Sequence, residues 1–398
     1  MIRPRILVTL SDRAEPADNG KRLRAAAAVR ALAEAGDLDV VLLHLDHPLD
    51  VRPLPPDVPT HHWSVLRKKR RSLPAAALRM LLRLLPLQIA AIDWTEMRAE
   101  ISRLRPQTSD LVWFGSLDHF VVLRDLIGDT PAVVDYDDVE PAKIKAFLAV
   151  APRDLPGQLM RAKARVEQVF WRRLERLAKH RSAALIVCSD LDVRRLGGPN
   201  TFAVPNTYPD PGPAARRMNG GPPEFLMIAN FGYKPNIDAA YFAARQVLPA
   251  LRRALPDAVI HLAGHESARY LSDLRDVPGI RLSGPFPEVR PLLENATAVI
   301  APIRYGGGTR LKIIEAWAYR VPVISTVLGA EGLNATDEAE LLLADTKEAF
   351  ADACVRVACE PGLREKLATA GRHEYESAHR PTAAECAIAE LLGAVLPR

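Results

Sequence analysis

The chain of 398 residues lacks the features of membrane-spanning, disulfide-bonded or zinc-binding proteins. It contains no run of about eighteen apolar residues, the length that a membrane-spanning helix requires. Its four cysteines, Cys188, Cys354, Cys359 and Cys386, show neither a metal-ligand spacing nor a dense disulfide pattern, so we expect them to serve in packing. The first residues lead into a strand without a signal-peptide pattern. These features predict a cytoplasmic protein.

What the chain does contain is typical of a globular protein. Hydrophobic residues make up 48% of it, and its length suits two or three domains. The net charge is +5, and part of it is concentrated in one block of five consecutive cations, Arg67, Lys68, Lys69, Arg70 and Arg71. Such a block commonly marks an interaction surface.

Strand-like and helix-like segments alternate along the chain, which is the pattern of parallel sheets covered by helices. The alternation predicts an α/β fold with two tandem Rossmann-like domains that face each other across a cleft. In the first half, a helix is predicted over residues 20–35. The predicted strands of the first domain cover residues 6–10, 39–45, 111–114, 132–135 and 184–188. Those of the second cover residues 224–228, 258–263, 280–283, 298–301, 321–325 and 340–343.

Composition suggests where the domains meet. Residues 209–223 are rich in proline and glycine, as interdomain linkers often are. We therefore expect an N-terminal, acceptor-side domain over residues 1–208 and a C-terminal, donor-binding domain over residues 209–380. Residues 381–398 have helical periodicity, and we expect this helix to cross back to the first domain.

The most informative segment is RYGGGTRLKIIE, residues 304–315, which lies between a predicted strand and a predicted helix. Consecutive glycines let the backbone turn tightly, and the following helix start offers free N–H groups to an anion. Arg310 and Lys312 add cations where the helix dipole disfavours them, so they call for a compensating anion such as a diphosphate. Glu315 lies about 9 Å further along the helix axis than Thr309, a position suited to sugar hydroxyls beyond the phosphates. The alternative is an ordinary loop with solvated side chains, which the apolar residues around these charges disfavour.

Ordered motifs across the second half resemble the donor-binding domain of GT-B fold glycosyltransferases, especially the retaining enzymes of glycosyltransferase family four. The similar segments are FGYKPNIDA (231–239), LAG (262–264), SGPFPEV (283–289), GGGTRLKIIEAWA (306–318) and VPVISTVLGAEGL (321–333). Weaker similarities in the first half are DNGKRLRA (18–25), VVDYDDVE (133–140), CSDLD (188–192) and VPN (204–206). The resemblance covers nearly the whole chain.

The resemblance implies a set of donor-binding residues. Gly308, Thr309 and Arg310 would contact the donor diphosphate with Lys312 nearby, and Glu315 would bind the ribose. The remaining donor-side positions that it implies are Gly20, Gly264, Gly284, Phe286, Gly306, Gly307 and Glu331. Arg310 and Lys312 would also act in catalysis by stabilising the departing diphosphate. Lys21, Arg22 or Arg24 could add positive charge, or could simply be solvated at a helix start.

His119 lies near the position of an active-site histidine in this family, and we include it as a candidate catalytic residue. The alternative is a half-exposed helix histidine without a catalytic role.

Two features depart from the family pattern. Many members carry a glutamate where this chain has Gly307, and an Arg and Lys pair where it has FGYKPN. Arg320 stands where a helix-ending glycine is common. The departures at Gly307 and FGYKPN concern recognition of the sugar more than binding of the nucleotide, and the sequence offers no explanation for Arg320.

We expect neither a metal nor a cofactor, because cations and a helix N-terminus can stabilise a leaving diphosphate. The triplet Asp135, Tyr136 and Asp137 has the D-x-D pattern of metal-dependent glycosyltransferases of the other large fold. It follows a strand of the first domain, far along the chain from the glycine loop. A structural or acceptor-side role is therefore favoured over metal binding.

The basic block from Arg67 to Arg71 precedes a leucine-rich helix, predicted over residues 75–87. Cations beside an amphipathic helix suit an anionic membrane surface and a lipid-linked acceptor. The alternative is a solvated turn followed by a helix packed on the first domain. Nucleic acid is not expected, since no aromatic residue interleaves the block. The predicted location is the cytoplasm, with peripheral contact to the inner face of its membrane as one possibility.

Together these features predict an enzyme that moves a hexose-type sugar from a nucleotide-diphosphate donor to a glycan, lipid-linked saccharide or other hydroxyl acceptor. The resemblance implies retention of configuration. Two alternatives remain open: a nucleotide-sugar epimerase of the same fold, and a catalytically silent nucleotide-sugar-binding subunit, which Gly307 keeps under consideration.

Overall fold

The computed structural model describes residues 3–17, 19–44, 52–151, 154–213 and 221–396. The chain divides into two compact units, Met1–Asn206 with Pro381–Arg398 and Thr207–Arg380. Some residues named in the sequence analysis lie outside the described residues. They are Asp18 of the segment DNGKRLRA, Leu45 at the end of a predicted strand, and residues 214–220 of the predicted linker.

The first unit is built on a parallel sheet of seven strands in the order β3-β2-β1-β6-β7-β8-β9, beside a short antiparallel pair, β4 and β5. Its strands are β1 Arg5–Leu10, β2 Asp37–His44, β3 His62–Arg67, β4 Lys69–Arg70, β5 Ile92–Asp93, β6 Leu111–Phe114, β7 Ala132–Asp135, β8 Ala184–Val187 and β9 Thr201–Ala203. Its helices before the second unit are α1 Gly20–Ala35, α2 Leu73–Arg83, α3 Leu87–Ala90, α4 Thr95–Arg103, α5 Leu117–Leu123, α6 Glu140–Val150, α7 Leu155–Arg181 and α8 Asp190–Leu196.

The second unit is built on a parallel sheet of six strands in the order β12-β11-β10-β13-β14-β15. These strands are β10 Glu224–Ile228, β11 Val259–Ala263, β12 Ile280–Ser283, β13 Ala298–Ala301, β14 Val323–Ser325 and β15 Leu342–Leu343. The helices from here to the end of the chain are α9 Lys234–Phe242, α10 Leu248–Ala254, α11 Ser267–Tyr270, α12 Arg290–Asn295, α13 Leu311–Ala318, α14 Lys347–Cys359, α15 Pro361–Ala378 and α16 Pro381–Val395.

Local sequence explains these elements well. Buried central strands such as β6 (LVWF) and β8 (ALIV) are continuous apolar runs, as expected where helices cover both faces of a parallel sheet. Helix α1 begins after Asn19, whose side chain accepts a hydrogen bond from the Arg22 N–H. Its alanine-rich face is buried, and α16 packs against it in the same unit. None of the helices within the described residues is both long and apolar enough to cross a membrane.

Each sheet has one point where the strand order reverses, and open α/β sheets bind ligands at such points. In the first sheet it lies between β1 and β6, and in the second between β10 and β13. Because the strands are parallel, the loops that follow these strands lie at the same edge of their sheet. Both candidate regions described below lie at these edges.

The predicted α/β fold class is confirmed, and several details differ. Strands β3 and β9 at the edges of the first sheet escaped prediction, because edge strands carry a weaker apolar signal. The leucine-rich helix begins at Leu73 and ends at Arg83, before the predicted end. A packing role applies to only two cysteines, Cys188 and Cys354, since Cys359 and Cys386 are exposed.

Candidate functional site

The glycine-rich loop joins the end of β13 to the start of α13 in the second unit. Gly306 and Gly308 have φ angles of 139° and 69°, which favour glycine. A Cβ on Gly306 would lie 2.9 Å from Arg310 Nη2, so a side chain there would displace the guanidinium. Thr309 is buried, and Gly307 uses its carbonyl to accept a hydrogen bond from Arg310 Nη1. The loop therefore holds Arg310 close to its own backbone.

Arg310 and Lys312 are half-buried cations whose hydrogen-bond partners are neutral. Arg310 donates to the Gly307 carbonyl, while its buried Nε has no partner. Lys312 Nζ donates to Asn236 Oδ1 at 3.1 Å. The pKa of Lys312 is lowered to about 7, mainly by burial and in addition by the charge of Arg310, while Glu315 opposes the shift. These two cations therefore occupy a site that an anion would stabilise.

Glu315 follows one turn further along α13. The pKa of this carboxyl is raised to about 7 by burial, although a hydrogen bond from Tyr208 and the charge of Lys312 oppose the rise. Tyr208 belongs to the stretch after the boundary at Asn206, and its backbone N–H donates to His379 O at 3.0 Å. The surrounding side chains of α13 are buried, which confirms the predicted burial of this helix.

The segment FGYKPNIDA supports the loop from the adjacent β10 edge. Asp238 accepts two hydrogen bonds from Arg304, at 2.9 Å and 2.5 Å, and Asn236 holds Lys312. Asn236 is itself oriented by donating to Asn230 O at 2.9 Å. This segment resembles the family in sequence but lacks its Arg and Lys pair. In the structure it positions the cations of the neighbouring loop instead.

The loop after β14 is tied to the end of β13 by two hydroxyl groups. Ser325 Oγ donates to Ala301 O at 3.2 Å, and Thr326 Oγ1 donates to Ile303 O. Glu331 lies further along this loop, where its backbone N–H donates to Leu328 O at 3.3 Å. The two hydroxyl-bearing residues were not recognised in the sequence, although they order the loop that carries Glu331.

Gly264, Gly284 and Phe286 follow β11 and β12, on the other side of β10 from the glycine loop. Gly264 has a φ of 140°, and a Cβ there would lie 2.0 Å from Ala229 O, so close backbone packing requires glycine. Gly284 is exposed, and a Cβ at this position would have no atom within 4 Å. Phe286 is half-buried. The structure therefore gives a packing reason for Gly264 but none for Gly284.

His119 lies at the strand reversal of the first sheet and is buried, with 1% of its surface exposed. The alternative of a half-exposed histidine was therefore wrong. Its Nδ1 lies 3.0 Å from Thr9 Oγ1, and its ring packs edge-on against Trp94. Burial lowers the pKa of His119 to about 4, with Asp118 opposing the shift and Lys68 adding to it. The imidazole is therefore neutral near pH 7 and can donate or accept a hydrogen bond.

Gly20 is the first residue of α1, and the cations that follow it are largely committed to neighbours. Arg22 pairs with Asp12 at 3.2 Å. Arg24 is buried and forms an ion pair with Asp135 at 2.7 Å. Neither is a solvated cation.

The D-x-D triplet is used in contacts within the first unit. Asp135 binds Arg24, Tyr136 donates to Glu175 at 2.9 Å, and Asp137 accepts from Asn206 at 3.3 Å. These contacts fit the structural part of the predicted structural or acceptor-side role of the triplet.

The basic block is part strand, not the solvated turn of the alternative interpretation. Arg67 ends β3, while Lys69 and Arg70 form β4. Lys69 pairs with Glu96, and Arg71 pairs with Asp93 at 2.9 Å. The following helix, α2, buries only Ala76, so it is not packed on the first unit through its leucines.

Comparison with known proteins places this geometry in context. Residues 222–360 match the model of the family described as glycosyl transferases group 1. No curated protein matches the chain.

Three solved structures share the fold over the whole chain. HepE from Anabaena, in complex with UDP-glucose, is 13% identical, with 98% of this chain and 100% of that chain covered and a TM-score of 0.66. Sucrose-phosphate synthase from Thermosynechococcus elongatus is 18% identical, with 98% of each chain covered and a TM-score of 0.67. A TarM mutant from S. aureus, in a complex that includes UDP, is 10% identical, with 98% and 99% covered and a TM-score of 0.67.

Two parallel α/β sheets with this topology define a GT-B fold, as predicted. The matched domain carries the glycine loop, Lys312 and Glu315. Residues 222–360 thus match the glycosyl transferases group 1, and the chain shares its fold with the three solved structures.

Proposed function

We propose that this protein is a glycosyltransferase that transfers a hexose-type sugar from a nucleotide-diphosphate donor to a hydroxyl group of a glycan or lipid-linked saccharide. The observation that carries the proposal is the pair Arg310 and Lys312, two half-buried cations held by neutral partners at the strand reversal of the second sheet. A diphosphate would supply the charge that this site lacks. That HepE was solved with UDP-glucose and TarM with UDP supports the same ligand class.

The proposed donor site extends from the glycine loop to Glu315. The diphosphate binds the backbone of residues 306–309 and the start of α13, with Arg310 and Lys312 on its oxygens. Glu315 binds the ribose hydroxyls, for which Tyr208 orients the carboxylate. We assign the loops of Gly264, Gly284, Phe286 and Glu331 to the remainder of the donor.

We propose that transfer proceeds with retention and without a metal. The acceptor oxygen bonds to the anomeric carbon as the bond from that carbon to the diphosphate oxygen breaks, and the acceptor proton passes to the leaving phosphate. Arg310, Lys312 and the start of α13 stabilise the charge that develops on the leaving group. His119, neutral near pH 7, is suited to hydrogen bonding with a sugar hydroxyl and not to charge neutralisation.

Binding of UDP, GDP and ADP, measured by calorimetry, tests the donor site. We expect Arg310→Ala and Glu315→Ala each to weaken binding of the preferred nucleotide at least about tenfold, since charged hydrogen bonds contribute about 1.5–3 kcal/mol. Arg253→Ala, an exposed cation of the same unit, is the matched control and should bind normally. Unchanged binding in both site variants would refute the assignment.

Two further measurements test the chemistry. The anomeric configuration of the product, read by nuclear magnetic resonance, should match that of the donor. Transfer should persist in the presence of a strong metal chelator. Inversion, or loss of transfer that Mg²⁺ or Mn²⁺ restores, would contradict the corresponding part of the mechanism.

A further inference from the structure

We propose that the first unit binds the surface of an anionic lipid membrane through an exposed apolar face on α2 and α7. We call this surface the α2–α7 face; it consists of Leu73, Leu78, Leu81, Leu82 and Leu84, and of Leu155, Leu159, Met160, Val166 and Val169. The proposal goes beyond the transfer reaction and stands on different residues.

Helix α2 presents its apolar side to solvent. Leu73 and Leu82 are 77% and 75% exposed, and Leu78 and Leu81 are 59% and 61% exposed. Ala76 is its only buried residue, and partly buried Met80 packs against the core. Amphipathic helices of globular proteins normally turn their apolar side inward. A helix with the opposite orientation has an apolar surface available for a partner.

Helix α7 carries a matching stripe near its start. Leu155, Leu159, Val166 and Val169 are exposed and spaced by three, four or seven residues, so they lie along one side of the helix. Lys163 and Arg165 flank this stripe on opposite sides. An apolar stripe bordered by cations is typical of helices that lie in the interface of a bilayer.

The two helices meet within the same unit. Arg173, on α7, donates through Nη1 to the carbonyls of Arg83 and Leu84 at 3.3 Å and 3.4 Å. The end of α2 is therefore held against α7. In the described part of the second unit, by contrast, the exposed large apolar residues are only Tyr233, Tyr270 and Val327. The apolar surface is concentrated on the first unit.

The charge around this face selects the partner. Residues 58–92 contain seven lysines and arginines and no aspartate or glutamate. Among the described residues, Arg67, Arg70, Arg79 and Arg83 have no ion-pair partner. Two copies of such a surface would repel each other, which disfavours self-association. An anionic bilayer satisfies both properties, because it accepts leucine side chains and attracts cations.

Flotation with vesicles tests the proposal on the full-length protein. We expect binding to vesicles that contain phosphatidylglycerol and little binding to pure phosphatidylcholine. Leu78→Ser, Leu81→Ser and Leu82→Ser combined should abolish flotation, and these exposed positions tolerate serine without loss of the core. Arg67→Gln, Arg70→Gln and Arg83→Gln combined should lower the partition coefficient by up to about a hundredfold, at about fivefold for each cation.

The matched control neutralises three exposed cations of the second unit, Arg253→Gln, Arg275→Gln and Lys366→Gln, and should float like the wild type. Nucleotide binding, measured on the same samples, separates this proposal from the proposed function. A variant that loses flotation but binds nucleotide normally has lost the membrane contact and kept the donor site. The proposal would be overturned if the wild type did not float. It would also be overturned if the leucine variant and the arginine variant both floated as well as the wild type. A wild-type dimer that the leucine variant converts to a monomer would overturn it too.

Discussion

Lys312→Met tests whether the proposed diphosphate site destabilises the protein when it is empty. The ammonium of Lys312 is half-buried, its hydrogen-bond acceptor is the neutral Asn236, and burial lowers its pKa from 10.5 to about 7. Methionine has a similar length and carries no charge to desolvate. We therefore expect the variant to be more stable than the wild type at pH 6, although it should no longer bind a nucleoside diphosphate.

The structure sets the size of this effect. A fall of the Lys312 pKa to about 7 corresponds to about 5 kcal/mol in favour of the neutral form, at about 1.4 kcal/mol per pH unit. Partial access of solvent, the neighbouring Glu315 and the lost bond to Asn236 all reduce the net gain. We expect an increase in the free energy of unfolding of about 1–3 kcal/mol, or about 3–10 °C in Tm.

The pH dependence gives a sharper test than the magnitude. Below pH 7 Lys312 is charged in both the folded and unfolded states, so the wild type bears the full cost of burial. Between pH 7 and 10.5 the unfolded chain binds a proton that the folded protein does not, and wild-type stability rises with pH. The advantage of Lys312→Met should therefore shrink by up to about 1.4 kcal/mol per pH unit above pH 7.

Urea denaturation from pH 6 to 9 measures this difference directly. Lys366→Met, at an exposed lysine of the same unit, is the control and should change stability by less than about 0.5 kcal/mol. Saturating nucleoside diphosphate should stabilise the wild type and leave Lys312→Met unchanged. A variant that is less stable than the wild type at pH 6, or a difference independent of pH, would refute the idea of an uncompensated cation.

Three further substitutions test the packing around the two candidate regions. Arg24→Met should lower the free energy of unfolding by about 3–5 kcal/mol in urea denaturation, because it leaves the buried Asp135 without its cation. The double variant Arg24→Met with Asp135→Leu removes both charges and should lose less stability. A larger loss in the double variant than in Arg24→Met would contradict this reasoning. Arg320→Gly should raise the free energy of unfolding by up to about 1 kcal/mol, since Arg320 has a φ of 58° that strains any residue with a Cβ, and a decrease would show that its side chain stabilises the fold. Tyr208→Phe should raise the KM for the donor near pH 6.5 and have less effect above pH 8, because removal of its hydrogen bond raises the pKa of Glu315 beyond about 7; a change independent of pH would exclude this role.

The positions of the secondary-structure elements followed largely from local sequence. The alternation of apolar runs with amphipathic segments predicted the strands at residues 111–114, 132–135 and 298–301 and the helix at residues 20–35 with their observed bounds. The glycine loop was recognisable because tight turns and left-handed φ angles favour glycine wherever they occur. The unusual Arg320 was also visible, and the structure shows that it adopts a left-handed conformation, which favours glycine.

The partners of charged and polar side chains did not follow from local sequence. Arg24 meets Asp135 across 111 positions of the chain, and Lys312 meets Asn236 across 76. The local sequence around His119 is compatible with a half-exposed position and equally with the observed burial against Thr9 and Trp94. Such contacts depend on which loops the sheet topology brings to the same edge.

The sequence by itself determined the α/β class, most element bounds and a glycine loop suited to phosphate, because these depend on residues close together in the chain. Only the tertiary structure decided that Lys312 and Arg310 have neutral partners, that His119 is buried and that the leucines of α2 face solvent. A period of 3.6 residues specifies that one side of a helix is apolar. Whether that side faces the core or the solvent depends on what packs against the helix.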